Sequence, residues 1–247
     1  MTIALAINVG DSLVLASDSA LTLSGVAGGA PQAINIWNSG DKIFNLYKGL
    51  PLGLMFWGQA TIDDFSMSTL AKDLRCRLSG RDTSAADWEL DAGSYKIRDV
   101  ADRVKQFFYD DRSIKPQSPL GLLVGGFSAG SGLAEWYQIT INPGDCADPV
   151  ELAPPGVAAT ATFGQPEAIT RLITGVSANL PQALINLGVP LADVTQYVDR
   201  IEAEIAQQIV WRGMPVGEVI DLAQFLVETT IRFVRFITFG WLRSGGH

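Results

Sequence analysis

Ile3, Leu5, Ile7 and Val9 alternate with small or polar residues, and Gly10 and Asp11 then turn the chain into Leu13, Val14, Leu15 and Ala16. A period of two broken by a Gly-Asp turn predicts a tight antiparallel hairpin. Residues 24–40 lose the alternation and are rich in Gly, Ala, Ser and Asn, which reads as a long surface loop. Strand-like segments resume at 42–47 and 52–57, joined through Lys48 and Gly49 as a second hairpin. Thr61, Asp63 and Asp64 stand at an expected helix start, with Phe65, Leu70, Leu74 and Leu78 continuing at helical spacing.

Farther along, Ile97, Val100, Ala101, Val104 and Phe107 or Phe108 share one face and predict a second helix. Residues 120–127 and 135–141 form another expected strand pair, Asn142-Pro143-Gly144 is a turn signature, and 159–163 is a shorter strand. Helices are expected at 167–176, 194–211 and 216–236. In the second of these Val194, Val198, Ile201, Ile205 and Ile209 are in register as a core-facing stripe, as is 219–234 in the third. Blocks of strands, helices, strands and helices predict a layered α+β body. No linker, internal repeat or low-complexity tract divides it, so residues 1–247 read as a single domain.

Composition narrows the function classes. The chain of 247 residues is 47% hydrophobic and only 18% charged, more apolar than an average soluble protein, and some of that apolar surface is expected to face sister subunits. A formal charge of -8 with no basic run argues against nucleic acid and an anionic membrane as partners. Cys76 and Cys146 lack metal or disulfide spacing, so the expected setting is a reducing cytoplasm, with no cofactor and no metal. The acidic residues Asp63, Asp64, Asp110, Asp111, Glu202 and Glu204 read as caps and solvated faces rather than metal ligands. The apolar opening has no Lys or Arg before it and is cut short by Asn8, Gly10 and Asp11, unlike a secretory signal. The stretch 225–242 carries Glu228, Arg232 and Arg235, too interrupted to span a bilayer.

The candidate chemistry begins at the second residue. A small residue after the initiator Met normally permits its removal, which would leave Thr2 with a free α-amine beside its hydroxyl. Such an amine has a pKa near ~8 and serves as the base for its own hydroxyl. Behind Thr2 come Leu15-Ala16-Ser17-Asp18-Ser19, then Lys42 in the next strand segment, then Gly58 in Phe56-Trp57-Gly58-Gln59-Ala60. In order and spacing this set resembles the proteasome-like branch of the N-terminal nucleophile (Ntn) hydrolases, which includes proteasome β subunits and bacterial relatives. The later run Leu122-Leu123-Val124-Gly125-Gly126-Phe127 leading to Trp136-Tyr137-Gln138-Ile139 is similar to that family's central strand pair.

The resemblance implies a four-layer αββα sandwich, with two antiparallel sheets face to face and helices outside both. It implies a threonine-type peptidase in a ring or related closed homo-oligomer, acting on peptides or unfolded polypeptides, with an unfoldase as a further partner. Thr2 would be the nucleophile, Lys42 held charged by Asp18 would stabilise the developing negative charge, and the Gly58 N–H would be the oxyanion donor. Ser244 matches the family's Ser-Gly-Gly near the C-terminus, with Trp241 where the family has Asp. The turn Phe163-Gly164-Gln165-Pro166-Glu167 lacks the serine that helps organise the family's site. The family's final strand pair has no counterpart before His247, so that edge is expected to be missing, supplied by a neighbour or trimmed. These departures keep a non-catalytic shell subunit open beside the enzyme, with a small-molecule amidase as a third reading.

A rival nucleophile is Ser128 in Gly126-Phe127-Ser128-Ala129-Gly130, which fits the G-x-S-x-G elbow with His247 downstream. That elbow must lead into a helix, whereas Trp136, Gln138 and Thr140 alternate as a strand, so a Gly-rich hairpin is the expectation. The run lacks the Gly-Lys-Ser or Gly-Lys-Thr ending of a phosphate loop.

Overall fold

The computed structural model describes residues 2–27, 30–37 and 39–241. It is a mixed α+β body in which every strand pair is antiparallel. The opening hairpin forms as the alternation predicts: β1 (Ile3–Asn8) pairs with β2 (Leu13–Ser17), Ala4 opposite Ser17. The strand pair 120–127 and 135–141 forms as well, as β9 (Leu120–Phe127) and β10 (Ala134–Asn142). So does the second hairpin, as β5 (Ile43–Asn45) and β6 (Leu52–Gly58).

The three-stranded sheet has the order β13-β1-β2, its third member being β13 (Ala159–Gly164). The six-stranded sheet runs β11-β10-β9-β6-β5, where β11 (Asp145–Cys146) follows the Pro143-Gly144 turn and β12 (Val150–Glu151) also pairs with β10. Strands β2 and β5 are therefore edges of their sheets.

Three apolar clusters follow from strand alternation. Ile3, Leu5 and Ile7 pack against Ile169 of α3 (Glu167–Thr174) and Val219 and Leu226 of α6 (Val216–Trp241). Leu54, Phe56, Leu122 and Ile139 pack against Leu70 and Leu74 of α1 (Met67–Leu78) and Val100 and Val104 of α2 (Ile97–Lys105). The opposite faces of the strands supply a third cluster, in which Ala4 and Ala6 of the smaller sheet meet Met55, Leu123 and Trp136 of the larger. Small residues in β1 let the two sheets approach closely there.

Four expectations are corrected. The stretch 24–40 is not a loop: β3 (Leu21–Ala27) pairs with β4 (Ala30–Trp37), with a register shift between Leu23 and Ser24. Main-chain hydrogen bonds form a ladder whatever the side chains, so small-residue composition hid the strands. Asp63 and Asp64 do not start α1. Both have positive φ, 50° and 62°, and form the two-residue turn of a short hairpin, β7 (Thr61–Ile62) with β8 (Phe65–Ser66). Asp tolerates the left-handed region that such turns require. The helix begins at Met67, and the Ser66 side chain caps it by accepting from the Thr69 N–H.

Between α3 and the next expected helix lies an unforeseen one, α4 (Leu180–Asn186). The following helix, α5, runs Leu191–Ile205 rather than 194–211, because Ala206 is extended and the Gln207 N–H turns back to the Ile173 carbonyl. Its apolar stripe is only partly core-facing, since Val194 is buried but Ile205 is 43% exposed. The 219–234 stripe of α6 is buried as expected at Val219, Ala223, Leu226, Val227, Thr230 and Val234. Among the described residues no helix is long and apolar enough to cross a membrane.

Leu226 joins α6 to the β1 face with almost no exposure, whereas Phe236 is 78% exposed on the same helix. Leu226→Ala is expected to lower the unfolding free energy by about 2–5 kcal/mol, read by urea denaturation. Phe236→Ala is expected to change it by no more than about 0.5 kcal/mol.

Candidate active site

Asp18 leaves the end of β2 and Lys42 precedes β5. The β3–β4 hairpin lies between them, Lys42 coming 24 positions after Asp18. The hairpin's base is tied by the Gly40 N–H, which donates to the Ser19 carbonyl at 2.9 Å. That closure brings the two charged residues together: Lys42 Nζ donates to Asp18 Oδ1 at 2.7 Å, with side chains 0% and 5% exposed. Among the described residues Lys42 is the one buried cation.

Backbone contacts hold each partner. The Asp18 N–H donates to the Ile3 carbonyl at 3.3 Å, and Asp18 Oδ1 accepts the Ile3 N–H at 2.7 Å. Asp18 Oδ2 accepts from the Ala20 N–H at 3.1 Å. The Lys42 carbonyl accepts from the Phe56 N–H at 3.1 Å, fixing the lysine backbone to the larger sheet. A single carboxylate oxygen thus receives both the Lys42 ammonium and the amide that follows Thr2. The two donors lie within two hydrogen-bond lengths of each other. Burial pushes the Lys42 ammonium below the usual lysine value of 10.5, and the hydrogen bond and charge of Asp18 oppose that shift.

Thr2 is half-buried and enters β1 directly, and Gly164 bounds it on the side of β13. Gly164 has φ +79°, and a Cβ built there would come 2.1 Å from the Thr2 carbonyl oxygen, so a side chain at this position would displace Thr2. Gly164 was visible in the sequence only as part of a turn without a serine. Its positive φ and its contact across the sheet required the β1–β13 register. Phe163, beside it, stacks on Trp57 of β6 with ring centroids 3.9 Å apart, which ties β13 to the strand ending in Gly58.

Gly58 closes β6 at φ +92° opposite Leu120. A Cβ there would come 2.4 Å from the Pro119 carbonyl oxygen, so the close approach to the chain entering β9 requires glycine. The structure therefore joins Asp18 and Lys42 to each other and to the Ile3 N–H, one residue after Thr2, and places Gly58 at the end of β6 after Trp57. Met1, Ser244 and His247 lie outside the described residues.

Glu167, at the head of α3, is engaged away from this set. It accepts from Ser177 Oγ, the Ala178 N–H and Arg171 Nε. Ser128 has a structural task. Its Oγ accepts the Ile97 N–H at 3.0 Å and so caps α2, while β9 passes through a turn into β10 instead of into a helix. Among the described residues no group of three or more His, Cys, Asp and Glu could hold a metal ion.

An apolar groove of about 300 Å³ lies between the edge strands, lined by Leu13 and Leu15 of β2, by Ile43 of β5, and by Gly53 and Gly125. Ile43 is the residue after Lys42, and neither Lys42 nor Asp18 lines the groove. No family model matches the chain, and no curated protein matches it.

Removing one partner of the ion pair strands a buried charge. Lys42→Met is expected to cost about 3–5 kcal/mol, and Asp18→Asn combined with Lys42→Met less than the sum of the two single changes, measured by urea unfolding of all three variants. Titration of Nζ by NMR is expected to give a midpoint below 10.5. Between that midpoint and 10.5 the unfolded chain binds the proton more tightly, so this group's contribution to stability rises with pH across the window. In Lys42→Met that rise is absent.

Proposed function

We propose that the chain is a threonine-type amide hydrolase, acting as a peptidase within a self-compartmentalising homo-oligomer, with Thr2 as nucleophile after removal of Met1. The observation that carries the reading is the buried Lys42 ammonium, which shares Asp18 Oδ1 with the amide immediately following Thr2. A desolvated cation is costly to keep, and here it shares its carboxylate oxygen with the amide of Ile3, the residue after the one that the N-terminal chemistry needs. The αββα sandwich reading of the fold draws support from the three apolar clusters, one between the sheets and one beneath the helices on each far side.

In the proposed reaction, Thr2 Oγ attacks the carbonyl carbon of a substrate amide and passes its proton to its own α-amine. The Lys42 charge lowers the energy of the threonine oxyanion, and the Gly58 N–H receives the negative oxygen of the tetrahedral intermediate. The C–N bond then breaks, the ammonium proton leaves with the departing amine, and water hydrolyses the remaining ester. An extended polypeptide suits the groove between edge strands β2 and β5, whose unpaired backbone groups offer a ladder to a substrate strand.

A second reading, a shell subunit without catalysis, is favoured by the turn before α3. Gln165 stands in it where the family has a serine, and Glu167 is committed to Ser177, Ala178 and Arg171.

Intact mass of the mature protein, followed by incubation with a threonine-directed electrophile, separates the two. The hydrolase reading expects loss of Met1 and an adduct on Thr2, with none on Ser128. Thr2→Ala is expected to reduce peptide hydrolysis by at least about 10³-fold while leaving the assembly intact. Retained Met1, or an unmodified Thr2 in a folded protein, would favour the shell subunit.

A further inference from the structure

Although the chain carries a net charge of -8, its basic residues are unevenly spread. On α1 and its C-cap, Lys72, Arg75, Cys76 and Ser79 fall at i, i+3, i+4 and i+7, one side of the helix. Lys48, from the β5–β6 turn, and Arg81 join them around a concavity of about 250 Å³ that no acidic side chain lines. None of these four cations makes an ion pair with a described carboxylate.

The α4–α5 arm has the converse character. Asp193, Asp199, Glu202 and Glu204 outnumber Arg200 on α5, and none of the five is ion-paired among the described residues. The arm also leaves Leu187 82% and Leu191 76% exposed. Such apolar side chains flanked by unpaired acids have the composition of an interface centre with a charged rim.

The two surfaces belong to different parts of the molecule. The basic side is carried by α1, which packs on the larger sheet. The arm is carried by the α3 end of the smaller sheet, through the Gln207–Ile173 hydrogen bond and the contact of Ile205 with Gly175. Patches that are complementary but not shared generate head-to-tail association, which closes as a ring or continues as a filament.

We propose that the basic α1 surface of one copy receives the acidic α4–α5 arm of a second copy. The inference rests on the self-association part of the proposed function and names its contact. It does not involve Thr2 chemistry. Charge complementarity sets register and association rate, while Leu187 and Leu191 supply the desolvated area.

The test uses the full chain in sedimentation velocity at low and high salt. Self-association is expected to weaken by roughly tenfold or more as salt screens the rim. Lys72→Glu with Arg75→Glu, and separately Asp199→Lys with Glu204→Lys, should each weaken it by about tenfold or more. Mixing the two double variants should restore a heterodimer, because the unaltered arm of the first meets the unaltered α1 surface of the second and their altered surfaces are complementary as well. Gln196→Cys adds a position on α5 that a bismaleimide should join to the exposed Cys76 of another copy. A salt-insensitive oligomer with no rescue and no Cys76 crosslink overturns this interface and leaves self-association standing. A wild-type chain that is monomeric at all concentrations overturns both. Intact association in the Lys72→Glu, Arg75→Glu variant, with loss of inorganic phosphate binding by titration calorimetry, would reassign the surface to a small anion and overturn the proposal.

Discussion

The arrangement of the chain around the candidate site depends on one buried ion pair. Asp18 is bound through its backbone and its carboxylate to β1 of the smaller sheet, and Lys42 is bound through its carbonyl to β6 of the larger. Their 2.7 Å contact is therefore a charged tie between two sheets that otherwise meet through an apolar cluster and through the hydrogen bonds of Asn8 and Gly10 to Ala134. A tie of this kind is a poor source of stability, because desolvation of both charges consumes much of what their attraction returns. Its value is positional. An aliphatic pair would fill the space but would not fix a cation beside the amide of Ile3, and both Asp18 oxygens are already engaged by backbone donors that hold the carboxylate in one orientation.

The hairpin between the two charged residues makes the pair possible. Its base joins Ser19 to Gly40, so the chain leaves and returns at neighbouring points and delivers Asp18 and Lys42 from opposite sheets. Gly164 and Gly58 act at the same end of the structure by subtraction. Each has positive φ and stands where a Cβ would strike a carbonyl oxygen, that of Thr2 in one case and of Pro119 in the other. The residues that shape the site are thus partly those that leave room in it.

Elsewhere the chain shows where its high apolar fraction goes. The β1 and β9 strands are buried on both faces, which explains why β9 is a nearly continuous apolar run and why small residues occupy alternate positions in β1. The α4–α5 arm is the exception, since Leu187, Leu191 and Ile205 stay exposed outside the two helix-covered clusters while only Val194 of α5 is buried. A stripe of period 3.6 announces a helix with one apolar side, yet whether the chain itself covers that side depends on where the helix is anchored.

Local pattern in the sequence determined the elements whose period was strong: the opening hairpin, the β5–β6 and β9–β10 pairs, α2 and α6. The choice of Thr2, Asp18, Lys42 and Gly58 as a set came from a family resemblance in their order and spacing. Local pattern misjudged 24–40, Asp63-Asp64 and the ends of α5, where small side chains, a left-handed turn and a distant hydrogen bond to Ile173 outweighed the local signal. Tertiary structure alone decided that Lys42 meets Asp18, that Ser128 caps α2, that Gly164 confines Thr2 and that α5 keeps an exposed apolar edge. The reason is physical: periodicity is a property of neighbouring residues, whereas burial, ion pairing and close backbone approach depend on strands brought together from distant parts of the chain.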